Sequence, residues 1–229
     1  MYDRILLATD GSDHTRRVAE YVRTLADRFG AEVHVLAVAD VDSVSFAFDT
    51  GGVEQEVAGR LTRQCEGWAA ATGEFVDAAE TAVHSGTPRE AVLDYAAEHD
   101  VDLLAMGTHG RTGIRRYVIG SVTEHVLRRA AAPVLTARAD EPANGGDITR
   151  VLVPTDGSEA ADAAVDHALA VADACGAALR VLSVVDTRAL AAQPDLAPPD
   201  AVVESLEEQS EHAINEVTER CTAAGLSPE

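Results

Sequence analysis

Residues 4–40 read "RILLATDGSDHTRRVAEYVRTLADRFGAEVHVLAVAD". The stretch opens on an apolar run of strand length, crosses a Thr-Asp-Gly-Ser turn, and continues as a helical pattern over 13–29. Gly30 follows the last periodic residue, where a helix C-terminus favours glycine. A second apolar run, "EVHVLAVAD", comes next. Two near-continuous apolar strands joined by an amphipathic helix are the repeating unit of a parallel sheet. The crossover between them is right-handed.

The same unit returns at 150–186 as "RVLVPTDGSEAADAAVDHALAVADACGAALRVLSVVD", ungapped and with 14 identities in 37 positions. Gly30 falls on Gly176, Val38 on Val184 and Asp40 on Asp186. The chain is therefore read as a tandem duplication. Between the copies, "ADEPANGGD" (139–147) mixes Pro, Gly and acid without apolar periodicity, which is linker composition.

After its opening unit the first copy runs a long helix (about 54–72) and a strand (about 76–83). A Pro-initiated helix follows from Pro88, then the strand "VDLLAMG", a Gly-rich loop, the helix "SVTEHVLRRAA" and a last strand "PVLTAR". The expected fold is α/β: a doubly wound, open, five-stranded parallel sheet, Rossmann-like, repeated in tandem with the second copy incomplete. The expected boundaries are a complete domain at 1–138, the linker at 139–147 and a partial domain at 148–229. At the same offset a partner for Gly107 would fall near 253, past the last of 229 residues. The second copy is thus expected to lack the glycine loop, with a cut chain favoured over a naturally short one. Its long helix should stop at Gly225, matched in role to Gly73.

Composition narrows the function classes. There are 39 acidic residues against 18 basic ones, all arginine, for a formal charge of −21. Such a surface repels nucleic acid and anionic membranes, so neither is an expected partner. It points to adaptation to high salt, where counterions screen self-repulsion. The three cysteines are scattered without C-x-x-C spacing, which argues against a disulfide framework or zinc site. The N-terminal apolar run is too short for a secretory leader, and the expected location is the cytoplasm.

One loop departs from this acidity. "MGTHGRTGIRRYVIGSVTEHV" (106–126) carries four glycines and Arg111, Arg115 and Arg116, with no carboxylate between Asp102 and Glu124. Its spacing is Gly107-x2-Gly110-x9-Gly120-Ser121, with Gly113 inside. Ser121 reads as a helix N-cap, with Glu124 completing a capping box. Strand carboxyl ends and helix N-termini suit an anion, and glycines let backbone approach phosphate oxygens. An ordinary strand-to-helix turn is the plainer alternative. "TDGS" at 9–12 shares this ambiguity: Asp10 either flanks the helix or offers a carboxylate to ribose hydroxyls or Mg²⁺. Strand one should be central and adjacent to the strand ending at Gly107, so the two motifs would share one crevice. Val38 and Met106 end strands, as core residues or as an apolar slot for a base. His109 faces either phosphate or solvent. The other histidines show no metal spacing, and no lysine exists to build a P-loop.

Taken together, "ILLATDGS", "VLAVAD", "VDLLAMGTHGRTG" and "GSVTEHVLRRAAAPVLTAR" resemble the universal stress protein family. The resemblance covers 1–138 fully and 148–229 in part, and the glycine spacing resembles the family's ATP-binding branch. It implies a five-stranded parallel sheet, pairing through the last strand as a homodimer or tandem, and ATP bound without a robust catalytic apparatus. Carried over by position, Asp10 holds the ribose or metal side, a Mg²⁺ ion accompanying ATP included, and Val38 the adenine, with Thr9 and Met106 also among the cofactor-binding residues. Gly107, Thr108, His109, Gly110, Arg111, Thr112 and Gly113 wrap the phosphates and ribose. Gly120, Ser121, Val122 and Thr123 take the terminal phosphates. Ala8 stands where the family often has proline, and Pro154 restores it in the second copy. The implied role is a stress-response regulator with ATP as a ligand and at most slow hydrolysis. The competing readings are a weak ATPase or nucleotide-transferring enzyme of a related α/β fold, and an interaction module with no nucleotide.

Overall fold

The computed structural model describes residues 1–41, 53–108, 119–138, 145–186 and 200–226. The chain divides into two compact units, Met1–Asp147 and Ile148–Glu229.

In the first unit, β1 (Arg4–Thr9), β2 (Glu32–Ala39), β3 (Glu80–Ser85), β4 (Leu103–Gly107) and β5 (Val134–Ala137) form one sheet in the order β3-β2-β1-β4-β5. Every pairing is parallel. β1 lies between β2 and β4, so the strand order reverses there, at the position where open sheets leave a crevice. Side chains alternate between the two faces. Leu6, Leu36, Leu104 and Met106 share one core cluster with Val92, Tyr95 and Val126 from helices α3 (Pro88–Glu98) and α4 (Ser121–Arg129). The other face is covered by α1 (Asp13–Phe29) and α2 (Val53–Val76).

Local chemistry fixes these elements. α1 buries Thr15, Val18, Ala19, Val22, Leu25 and Ala26, an i, i+3, i+4, i+7 stripe. Its N-cap Ser12 accepts from the Thr15 N–H, and Gly30 closes it at φ 67°. That left-handed position would strain a side chain. Asp102 clasps the chain start: its Oδ2 accepts from the N–H groups of Asp3 (2.8 Å) and Arg4 (2.9 Å).

Three expectations need correction. The capping box at Ser121 does not form. The N-cap is Gly120, Ser121 is the first helical residue, and Glu124 pairs with Arg128 at 3.1 Å instead. Gly73 does not end α2, which continues to Val76. Gly73 is needed for contact, because a Cβ there would lie 2.5 Å from Thr81 Cγ2 on β3. The third strand also begins later than its pattern indicated, at Glu80.

The second unit holds β6 (Arg150–Pro154), α5 (Glu159–Cys175), β7 (Ala178–Leu182) and α6 (Asp200–Ala223), with β6 and β7 parallel. Ser158 and Gly176 (φ 63°) cap α5 as Ser12 and Gly30 cap α1. Val153, Val165, Ala168, Leu179 and Val217 make its core. Leu152 and Leu182 are 60% and 43% exposed, whereas their first-copy counterparts Leu6 and Leu36 are buried.

Candidate functional site

The carboxyl ends of β1 and β4 lie side by side, with Ala8 in register with Met106. After β1 the chain turns through a closed set of short-range hydrogen bonds. Asp10 Oδ1 accepts from the Ser12 N–H (3.1 Å) and the Thr15 hydroxyl (2.8 Å), and the Gly11 N–H donates to Thr9 Oγ1 (3.3 Å). Short polar side chains bonding backbone two residues on are the usual chemistry of such turns. Gly11 is required twice over. Its φ is +71°, and a Cβ would sit 2.3 Å from the Trp68 indole.

After β4, Gly107 lies directly against the start of α1. A Cβ there would meet His14 Cβ at 2.9 Å and the Thr15 nitrogen at 3.2 Å. The buried Thr123 hydroxyl donates to the Gly107 carbonyl at 2.8 Å. The Gly120 N–H donates to the Thr108 carbonyl at 2.7 Å, and the Thr108 hydroxyl to Ala137 O at 3.3 Å. These contacts hold the N-terminus of α4 beside the ends of β4 and β5. Its N-cap Gly120 has no side chain to cap that terminus, whereas Ser12 and Ser158 cap α1 and α5. The first-turn N–H groups of a helix have no intrahelical partner and carry its positive dipole end. A terminus of this kind suits an anion.

The anticipated residues divide by face. Ala8, Val38 and Val122 are half-buried and pack against the cluster that contains Met106, which is 6% exposed and belongs to the core. Thr9 and Gly107 belong to the face beneath α1, and Thr9 Oγ1 stands 3.1 Å from Thr72 Oγ1. Ser121 is exposed at the helix start. His109, Gly110, Arg111, Thr112 and Gly113, with Arg115 and Arg116, lie outside the described residues. No group of three or more His, Cys, Asp or Glu suited to a metal ion occurs among the described residues.

The second unit repeats the first half of this geometry. Thr155 accepts from the Gly157 N–H (3.2 Å), Asp156 from the Ser158 N–H (3.0 Å), and Ser158 from the Ala161 N–H (3.2 Å). Hydrogen bonds from Ser158 hold the Asp156 carboxyl below the usual carboxylate range. Ala161 replaces Thr15, so the hydroxyl that fixes Asp10 has no equivalent there.

Sequence reading overlooked a polar cluster under α3. His34 Nδ1 lies 3.0 Å from the Tyr95 hydroxyl, His99 stacks on the Tyr95 ring at 3.8 Å, and His84 meets its edge at 5.5 Å. Arg4 donates to the His99 carbonyl. Burial lowers the His34 pKa, and burial together with Glu80 pushes Tyr95 up to about 12. These residues come from four separate parts of the chain, so no local spacing signals them.

The universal stress protein family model matches residues 1–138 and 147–229. Universal stress protein MJ0531 of Methanocaldococcus jannaschii is 30% identical over 148 residues, covering 60% of this chain and 83% of its own. A universal stress protein of Thermus aquaticus is 33% identical over 141 residues, covering 60% of this chain and all of its own. Among solved structures, MJ0577 aligns with a TM-score of 0.52 at 28% identity, over 62% of this chain and 99% of its own. A universal stress protein from Archaeoglobus fulgidus aligns over 99% of this chain and 74% of its own, with a TM-score of 0.66 at 20% identity. That last likeness concerns the fold.

Proposed function

This chain belongs to the universal stress protein family, and from that premise we propose that its first unit binds ATP as a regulatory ligand in the stress response. The observation that carries the reading is the N-terminus of α4, which starts at Gly120 without a capping side chain and is tied by Thr123 to the end of β4, beside β1 at the strand-order reversal. Its donors and dipole suit phosphate, and no carboxylate other than the Arg128-paired Glu124 lies in that first turn. Asp10 keeps its carboxylate at the same end, where it would serve ribose hydroxyls or a Mg²⁺ ion accompanying ATP. Ala8 and Val38 form the apolar rim toward the base. The glycine and arginine loop, residues 107–113, would supply the remaining phosphate contacts. ATP would supply the charge that this terminus neutralises, biasing the chain toward one conformation or partner.

In this reading, 1–138 is the complete nucleotide domain, 139–147 the linker and 148–229 a partial second copy. Two chains pair as a homodimer through β5, the edge strand of the first sheet. Hydrolysis is at most slow, and the protein works in the cytoplasm without nucleic-acid or membrane partners. Among the described residues no helix is long and apolar enough to cross a membrane.

The test is extraction of nucleotide from purified protein, identification by mass, and calorimetric titration with ATP. A Gly110→Val, Gly120→Val double variant adds bulk where backbone must approach phosphate. Loss of ATP binding in the folded variant supports the site, and retained affinity refutes it. Rapid turnover to ADP or AMP would move the assignment to an enzyme.

A further inference from the structure

On the α1 and α2 side of the first sheet lies a cavity of about 320 Å³, reached between the two helices. It is on the opposite face from Ala8, Val38 and Met106. Its α2 wall is the stripe Trp68, Ala71, Thr72 and Phe75, at i, i+3, i+4 and i+7. Its α1 wall carries Arg16 and Ala19. At the end nearest the sheet stand Thr9 and the Thr9–Thr72 hydroxyl pair. This volume lies at the small end of the range for ligand pockets.

Two features set the groove apart from ordinary helix packing. The chain has one Trp and four Phe. Trp68 and Phe75 stand on this groove, Phe75 being 38% exposed rather than in the core. The cations are also placed here: Arg23 lies over the Phe75 ring at 5.6 Å, one heptad from Arg16. Among the described residues, the Arg16 side chain makes no hydrogen bond or ion pair.

The second unit provides an internal comparison. Its cavity beside the equivalent turn, of about 490 Å³, is lined by Asp156, Glu208, His212 and Glu216. Ala213 faces Gly157 where Trp68 faces Gly11, and Asp162 stands at the position of Arg16. The duplicated fold thus leaves a hollow in both copies, while a Trp and Phe wall with an arginine lines the first.

We propose that the groove of the first unit binds a small aromatic carboxylate, its ring between Trp68 and Phe75 and its carboxylate on Arg16. Flat rings stack on indole and phenyl faces, and a guanidinium takes a carboxylate in a bidentate, charge-assisted pair. The threonine hydroxyls offer neutral hydrogen bonds to a ring substituent at the closed end. The same position in the second unit, with its carboxylates, would repel such a ligand.

Trp68, as the chain's one tryptophan, reports the event. Nucleotide-free protein is titrated with 4-hydroxybenzoate, followed by tryptophan emission and by calorimetry. The expected result is one saturable site per chain with a dissociation constant of about 1 mM or tighter. Arg16→Gln should weaken it about tenfold, as should replacing the probe with neutral 4-hydroxybenzamide. Ala71→Leu, which fills the groove from an exposed position, should abolish binding by calorimetry, as should Trp68→Leu. Gly120→Val should leave it intact, which separates this groove from the nucleotide crevice. No saturable binding, two sites per chain, equal affinity for the amide, or indifference to Arg16→Gln and Ala71→Leu would each overturn the proposal. Loss in Gly120→Val would also overturn it, by placing the probe in the crevice.

Discussion

The Thr123 hydroxyl reaches back to the Gly107 carbonyl at 2.8 Å, tying the first turn of α4 to the last residue of β4 by a side chain. A Thr123→Val substitution preserves the shape and removes the donor. The expected loss is about 1–3 kcal/mol, read as a lower urea midpoint at unchanged slope. ATP affinity should fall as well, since the same bond holds the helix N-terminus in place.

Gly73 and Thr81 form a second close pair. Gly73→Ala gains helix propensity worth ~1 kcal/mol but drives a Cβ to 2.5 Å from Thr81 Cγ2. Overpacking should win, with a net loss of about 1–2 kcal/mol. Thr81→Ser removes the offending methyl. In combination with Gly73→Ala it should restore most of the loss, a non-additivity that a double-mutant cycle measures directly.

His34 gives the first unit an acid-sensitive contact. Burial lowers its pKa from 6.5, with Arg4 and His99 acting in the same direction and Glu80 and Glu32 opposing. The unfolded chain therefore takes up a proton near 6.5 while the folded one does so lower. Between those two values the unfolded state binds more protons, so stability falls as pH drops, by at most about 1.4 kcal/mol per unit. Above that window the contact is fully present. Urea melts across the range should show this slope, and His34→Gln should flatten that part of it.

The two serine caps separate stability from binding. Ser12→Ala and Ser158→Ala each remove a cap worth ~1 kcal/mol. Ser12→Ala should also weaken ATP binding, because Ser12 shares the turn that positions Asp10. Ser158→Ala should leave ATP binding unchanged, and saturation should show one ATP per chain.

The sheet was legible because strand periodicity and the Gly30 stop are local signals, and the duplication supplied each reading twice. Asp10 and Gly107 could be placed at the ends of neighbouring strands because the winding rule puts β1 beside β4. Gly107 and Gly73 kept their reasons hidden. A glycine that accommodates a crossing element looks in sequence like one that caps or bends, and only the partner atoms distinguish them. Ser121 misled by one residue, since Gly120 serves the same capping position without a side chain. The Tyr95 cluster and the Trp68 groove depend on contacts between distant segments, which no spacing rule encodes.

The clasp of Asp102 on the backbone of Asp3 and Arg4 has a consequence in time rather than space. A chain emerging from the ribosome N-terminus first holds β1, α1 and β2 long before residue 102 exists to close the sheet. The β1–β4 pairing spans almost a hundred residues, the kind of non-local contact that slows folding. Completion of the first unit therefore waits on synthesis of β4, and until then Leu6 and Leu36 lack the strand and helices that later bury them.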